Sequence, residues 1–199
     1  MKLQITFILA ALALSTVAFA QADTPFQGRY ASNLQIGDSV INITNMGATA
    51  PANMCVNVYT FSADEQLVSC CSCQVTPNAL VSLSVRNDLI SNTLTPALPT
   101  SVVVKLLATA PAGPCNAATP GAPVNGMLAF GTTIHQFPQS GLITNTNTYA
   151  VTETPFQPAT LSANELQKIT SFCGFIQANG SGFGICRSCR LGGLGADKQ

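Results

Sequence analysis

Three features of this sequence predict a mainly β chain, an antiparallel β-sandwich of Ig-like or Greek-key type with one C-terminal amphipathic helix and a set of disulfide staples. After Gln21 the chain is a series of short β-branched runs broken by Asn, Gly and Pro, the pattern of an all-β domain with six to nine strands. One late segment alone carries helical periodicity behind a capping sequence. Eight cysteines follow an export-type leader.

The leader comes first. Met1 and Lys2 precede an apolar run over residues 5–14 and end in Ala18-Phe19-Ala20. This is the charged, apolar and small-residue order of a secretory signal peptide. The run is shorter than the roughly 20 residues of a membrane span. Residues 1–20 are therefore expected to be removed, and residues 21–199 to form a single domain, secreted or periplasmic, with no membrane association after cleavage.

The strands follow in order. Residues 39–44 are β-branched and stop at Asn45-Met46-Gly47. Residues 55–61 and 67–73 flank a polar turn and read as a hairpin. A three- or five-residue turn places Cys55 opposite Cys73 and Asn57 opposite Cys71. Because side chains alternate, that register puts Cys55, Cys71 and Cys73 on one face and Cys70 on the other. Cys55 with Cys73, or with Cys71 after a register change, is the expected bridge, while the adjacent Cys70 and Cys71 reach different partners. Residues 79–85 alternate, with Val81, Leu83 and Val85 inward. Residues 101–107 are nearly continuous apolar, as in a central strand. Residues 109–126, with four prolines, form a long loop that Cys115 tethers. Residues 127–133 and a Thr-rich stretch over 142–154 complete the strands.

The helix is expected over about 162–178. Ser162 and Glu165 make a capping box, and Leu166, Ile169, Cys173 and Ile176 share one stripe. That stripe faces the core, where a sheet cysteine can meet Cys173. Asn179-Gly180 is the expected stop.

The cysteines are Cys55, Cys70, Cys71, Cys73, Cys115, Cys173, Cys186 and Cys189. An even set in an exported chain implies disulfides, with 105 connectivities open. The alternative is a tetrahedral metal held by Cys71-Ser72-Cys73 and the Cys186-x-x-Cys189 tail, which an oxidising compartment disfavours. A redox pair at Cys186 and Cys189 would need Cys186 at a helix start, and the flanking residues read as strand, then loop. No metal or cofactor is expected.

Charge excludes further classes. Eight Lys and Arg against eight Asp and Glu, 8% of the chain, cannot line a phosphate backbone, so no nucleic-acid partner is expected. Loss of Lys2 leaves seven cations against eight anions, a net charge of −1. Such a surface is solubilised by hydroxyls and amides, and copies repel one another little. His135 is the single histidine, placed beside an apparent turn at Gln136-Phe137-Pro138, and no G-x-S-x-G element accompanies it. Asp64, Glu65, Asp88 and Glu153 are scattered, with Asp64 and Glu65 at the hairpin tip. No catalytic residue is assigned.

The Cys55–Cys73 segment ending in Cys-Cys-Ser-Cys, the capped helix and the terminal C-x-x-C together resemble uncharacterised cysteine-containing secreted proteins of soil bacteria. The resemblance covers two segments and implies no activity. The expectation is a non-catalytic secreted or surface protein of structural or binding type, in a matrix, fibre or adhesion setting, with a homo-oligomer or a surface partner. The mature N-terminal segment, with Phe26 and Tyr30 flanking Gly28, is one candidate to complete a neighbour's sheet edge. The alternatives are a secreted hydrolase acting through His135 or an acidic pair, and a thiolate metal-binding protein.

Overall fold

The computed structural model describes residues 23–47, 52–91, 97–136, 149–179 and 186–190. The signal-peptide and cleavage-site readings fall outside them, as do residues 142–148 of the Thr-rich stretch.

Among the described residues nine strands form two antiparallel sheets packed as a sandwich. They are β1 (Phe26–Ala31), β2 (Val40–Asn45), β3 (Met54–Phe61), β4 (Leu67–Val75), β5 (Leu80–Ser84), β6 (Val102–Thr109), β7 (Met127–Gln136), β8 (Tyr149–Pro155) and β9 (Gln157–Pro158). The five-stranded sheet has the order β4-β3-β6-β1-β9, and the four-stranded sheet β5-β2-β7-β8. Only β3–β4 and β7–β8 are hairpins; the other links cross between the sheets. The last crossing turns on Phe156, fully buried between β8 and β9.

The two sheets bury differently. In β2, Ile41, Ile43 and Asn45 are buried while Val40, Asn42 and Thr44 are half-buried, the alternation of a strand with one face on the core. By contrast, every residue from Met54 to Thr60 in β3 is buried. The inner faces contribute Ile41, Ile43, Leu83, Val56, Val58, Val104 and Leu106 to the main core. Behind the five-stranded sheet lies a second core, in which Phe26, Tyr59, Cys70 and Leu107 meet Ala117 and the helix residues Ile169, Cys173 and Ile176.

That helix, α1 (Ala163–Ala178), forms where its sequence predicts. The Ser162 side chain accepts from the Glu165 N–H at 3.1 Å, and Cys173 lies on the buried stripe. Lys105 Nζ reaches Glu165 at 2.9 Å and sits 5.6 and 5.5 Å from the ring centres of Phe26 and Phe61, a cation–π arrangement that seats the helix start.

Four local expectations are corrected. Residues 26–31 are not a free segment: all six pair with β6 in their own sheet, because Phe26 and Ala31 are buried on opposite faces. Val85 does not continue β5 but begins a π-helical turn, Val85–Ile90, which the Ser84 side chain caps by accepting from the Asn87 N–H. Gln136 ends β7 instead of opening a turn, and the rest of the turn expected beside His135 falls outside the described residues. A further short helix, α2 (Arg187–Arg190), follows Cys186 where a loop is expected.

Candidate functional site

The hairpin β3–β4 decides where the cysteines go. Its turn closes with Ser62 N–H donating to the Gln66 carbonyl at 3.0 Å, while Glu65 takes a left-handed φ of 64°. Phe61 faces Leu67 next to the turn, as the expected register requires. One step further, however, Thr60 faces Ser69, so Val68 is the extra residue of a β-bulge. The rest of the hairpin is thereby shifted by one residue: Cys55 faces Gln74, and Val56 faces Cys73.

A one-residue slip exchanges the faces. Cys55 and Cys70 look outward toward the second core, and Cys71 and Cys73 look into the sandwich. The expected Cys55–Cys73 and Cys55–Cys71 bridges are therefore absent. The bridges are Cys55–Cys115, Cys70–Cys173, Cys71–Cys186 and Cys73–Cys189. Cys70 and Cys71 do reach different partners, and Cys173 meets a sheet cysteine. The thiolate-metal alternative needs free sulphurs, yet all eight are paired. Cys186 does stand at a helix start, but it and Cys189 are bonded to β4 and not to each other.

Each bridge holds an element onto the five-stranded sheet. Cys115 brings the proline-rich loop over its outer face, where the Tyr59 hydroxyl donates to the Ala117 carbonyl at 2.8 Å. Burial pushes the Tyr59 phenol up. Cys173 holds α1. Cys186 and Cys189 hold α2, and Asp88 fastens the same segment by accepting from Ser188 N–H at 2.8 Å and Ser188 Oγ at 2.7 Å.

A cavity of about 350 Å³ lies beside the Cys55–Cys115 bridge, with Asn57, Thr109, Asn116 and Thr119 among its lining. Its polar floor is satisfied internally. Asn57 Nδ2 donates to Thr109 Oγ1 at 3.0 Å and to the Leu107 carbonyl at 3.1 Å, and Asn57 Oδ1 accepts from Ser72 Oγ at 2.9 Å. Gly121 closes the loop where a Cβ would stand 2.1 Å from the Ala110 carbonyl oxygen. The lining is neutral, with no proton donor or acceptor of catalytic pKa.

The candidate acid–base groups lie on separate elements. His135 Nε2 meets Thr152 Oγ1 at 2.9 Å across the β7–β8 arm. Asp64 sits on the β3–β4 turn, where a bond from Ser62 and the backbone N–H groups hold its carboxyl below the usual range. Glu153 accepts from Asn42 Nδ2 at 3.1 Å on the outer face of the four-stranded sheet, and Asn42 Oδ1 accepts from Ser82 Oγ at 2.7 Å. This ladder is the hydroxyl-and-amide surface that the low charge count implies.

Arg29, on the inner side of β1, escaped the sequence reading. Its guanidinium crosses to the other sheet and donates to Thr133 Oγ1 at 2.7 Å, Thr154 Oγ1 at 3.1 Å and Ser39 Oγ at 3.5 Å. Desolvation pushes its pKa down, and Glu153 partly restores it. Gly131 makes room: a Cβ there would stand 2.7 Å from Arg29 Nε. Alternation at β1 gives the inward direction of position 29, but Thr133 and Thr154 lie 104 and 125 residues away and leave no local signal.

Sheet edges complete the surface. At β4, Cys186 N–H donates to the Ser72 carbonyl at 3.1 Å. β9 covers part of β1. At β5, Asp88 Oδ2 takes the Ser84 N–H at 2.7 Å, and α2 packs alongside. Among the described residues none pairs with the outer side of β8.

No protein-family profile matches the chain, and no curated protein does. A solved structure described as the crystal structure of Thermotoga maritima 1070 is similar over 69% of this chain and 94% of that one, at 11% identity and a TM-score of 0.39. That likeness is too low to bear on function. Among the described residues no helix is long and apolar enough to cross a membrane.

Proposed function

We propose that this chain is an exported, non-catalytic structural or binding protein, secreted or periplasmic, that associates with itself or with a surface partner in a matrix, fibre or adhesion setting. The observation that carries the reading is the use of all eight cysteines to tie a loop, a helix and the 186–190 segment onto one sheet. Such bridges form and persist in oxidising compartments. They add rigidity to a domain that also buries two apolar cores, and rigidity favours persistence outside the cell. The near-neutral surface supports close approach between copies.

Light scattering over a wide concentration range tests this reading on the chain exported with its disulfides intact, alongside panels of ester, glycoside and peptide substrates. The expected result is a concentration-dependent oligomer, or retention on a cell-surface fraction, without turnover. A strict monomer that cleaves one panel substrate, and stops doing so in His135→Ala, would overturn it in favour of the hydrolase.

A further inference from the structure

The outer side of β8, which pairs with none of the described residues, has a definite hydrogen-bonding phase. Phe156 N–H donates to the Ala129 carbonyl at 2.9 Å, so these two form a hydrogen-bonded pair in the β7–β8 ladder, and such pairs recur at every second residue. Ala150, Thr152 and Thr154 therefore turn their N–H and C=O groups toward β7. Tyr149, Val151 and Glu153 turn theirs to the open edge. An independent bond agrees: Met46 N–H donates to the Gly126 carbonyl at 2.8 Å, which fixes the even-numbered residues of β7 toward β2 and the odd-numbered ones toward β8.

Open edges are ordinarily blunted by Lys, by proline within the strand or by a bulge. β8 carries one charge, Glu153, and its only proline is the terminal Pro155. Its register with β7 runs without a break. Tyr149 and Val151 are 43% and 63% exposed. We infer that β8 is a self-pairing edge, whose partner is β8 of a second copy of this chain, antiparallel about a two-fold axis at Val151.

At that axis Val151 faces its own copy, and Tyr149 faces Glu153 of the second copy. Each pair exchanges both N–H···O bonds. Charge decides the register against an axis at Glu153, which would set two carboxylates face to face. At Val151 each carboxylate meets a phenol instead. Two four-stranded sheets become one continuous sheet, and because the contact is isologous it closes as a dimer. The other edges carry at least partial cover, from β9 at β1, from Cys186 at β4 and from Asp88 at β5. This inference rests on the self-association proposed above and names its partner and mode.

Val151→Pro tests it on the full exported chain. Proline removes the outward N–H at the axis and leaves the inward bonds of Ala150 and Thr152 intact, a placement that edge strands tolerate. Sedimentation equilibrium should show a wild-type dimer and a variant whose dimerisation is about tenfold weaker or worse, with the same circular dichroism and Tm. Val151→Lys, which sets two cations face to face at the axis, should weaken the dimer equally and covers the case in which the proline variant fails to fold. A wild-type oligomer unaffected by either folded variant would overturn β8 pairing and leave self-association standing. A wild type monomeric at every concentration would overturn both.

Discussion

The two sheets of this sandwich are held by different means. The five-stranded sheet is buried on both faces along β3 and the middle of β4, between the main core and a second core under α1, and every disulfide ends on it. The four-stranded sheet contains no cysteine, is buried on one face, and leaves β8 exposed along nearly its whole length. Polar side chains tie it to the other sheet: the Arg29 guanidinium lies over Gly131, Gln27 Nε2 donates to the Met127 carbonyl at 3.1 Å and Asn45 Nδ2 to the Val75 carbonyl at 3.2 Å. Covalent ties thus concentrate where packing is already densest, and the lightly packed sheet keeps the open edge. The bridges do not replace core. Two of them fix the outer layer, the proline-rich loop and α1, onto a sheet that would otherwise expose Tyr59 and Leu107, and the other two hold α2 at the main core.

The largest test of that arrangement is to remove the bridges one pair at a time, with alanine at both cysteines. Sequence separation suggests that the bridges spanning 103, 115 and 116 residues matter most. Nesting reverses this order. While Cys71–Cys186 stays closed, opening Cys70–Cys173 frees a ring of only about 14 residues, a loss of about 3 kcal/mol by chain entropy. Opening Cys73–Cys189 frees a ring of about five residues, a loss of about 2 kcal/mol. Cys55–Cys115 spans 60 residues that no other bridge shortens, so its loss is about 4 kcal/mol. Guanidinium unfolding should rank them in that order, and a ranking by sequence separation would refute the nested account.

The same asymmetry explains what was legible in the sequence. Strands of the one-faced sheet announce themselves by alternation, as Ile41 and Ile43 do against Asn42 and Thr44, and so do their inward positions. Strands buried on both faces do not alternate, so their register had to come from the turn. There the Val68 bulge, invisible in composition, moved the register by one residue and exchanged Cys55 with Cys71 and Cys73. Helix α1 was legible because its cap and stripe are local. β1 was not, because Phe26–Ala31 becomes a strand only when β6, far along the chain, pairs with it. The β8 edge could not be read either: whether an edge is open depends on what the rest of the chain covers.

Alkaline titration probes the outer core of the stapled sheet. Burial raises the Tyr59 pKa above its unfolded value near 10, so the unfolded chain loses this proton first as pH rises. The stability from keeping Tyr59 neutral is complete below pH 10 and is lost above it, at about 1.4 kcal/mol per pH unit. Tyr59→Phe should flatten that part of the profile while lowering neutral-pH stability by about 1 kcal/mol, for the lost bond to Ala117. An unchanged alkaline slope in the variant would show that Tyr59 is not the responsible group.

The smallest test applies one substitution to both sheets. Thr60 on β3 is fully buried, and its hydroxyl has no hydrogen-bond partner, as is also true of the Ser69 hydroxyl on the residue opposite. Thr133 on β7 accepts from Arg29. Thr→Val conserves volume at each site. At Thr60 it removes a desolvated hydroxyl and should raise stability by about 1 kcal/mol. At Thr133 it strips the shortest bond from a partly desolvated guanidinium and should lower stability by about the same amount, the partial exposure keeping the loss below that of a fully buried pair. Opposite signs in thermal unfolding would confirm that packing dominates one sheet and polar ties the other. If Thr60→Val also destabilises, a water bound between Thr60 and Ser69 satisfies those hydroxyls, and the dense sheet is wetter inside than its packing implies.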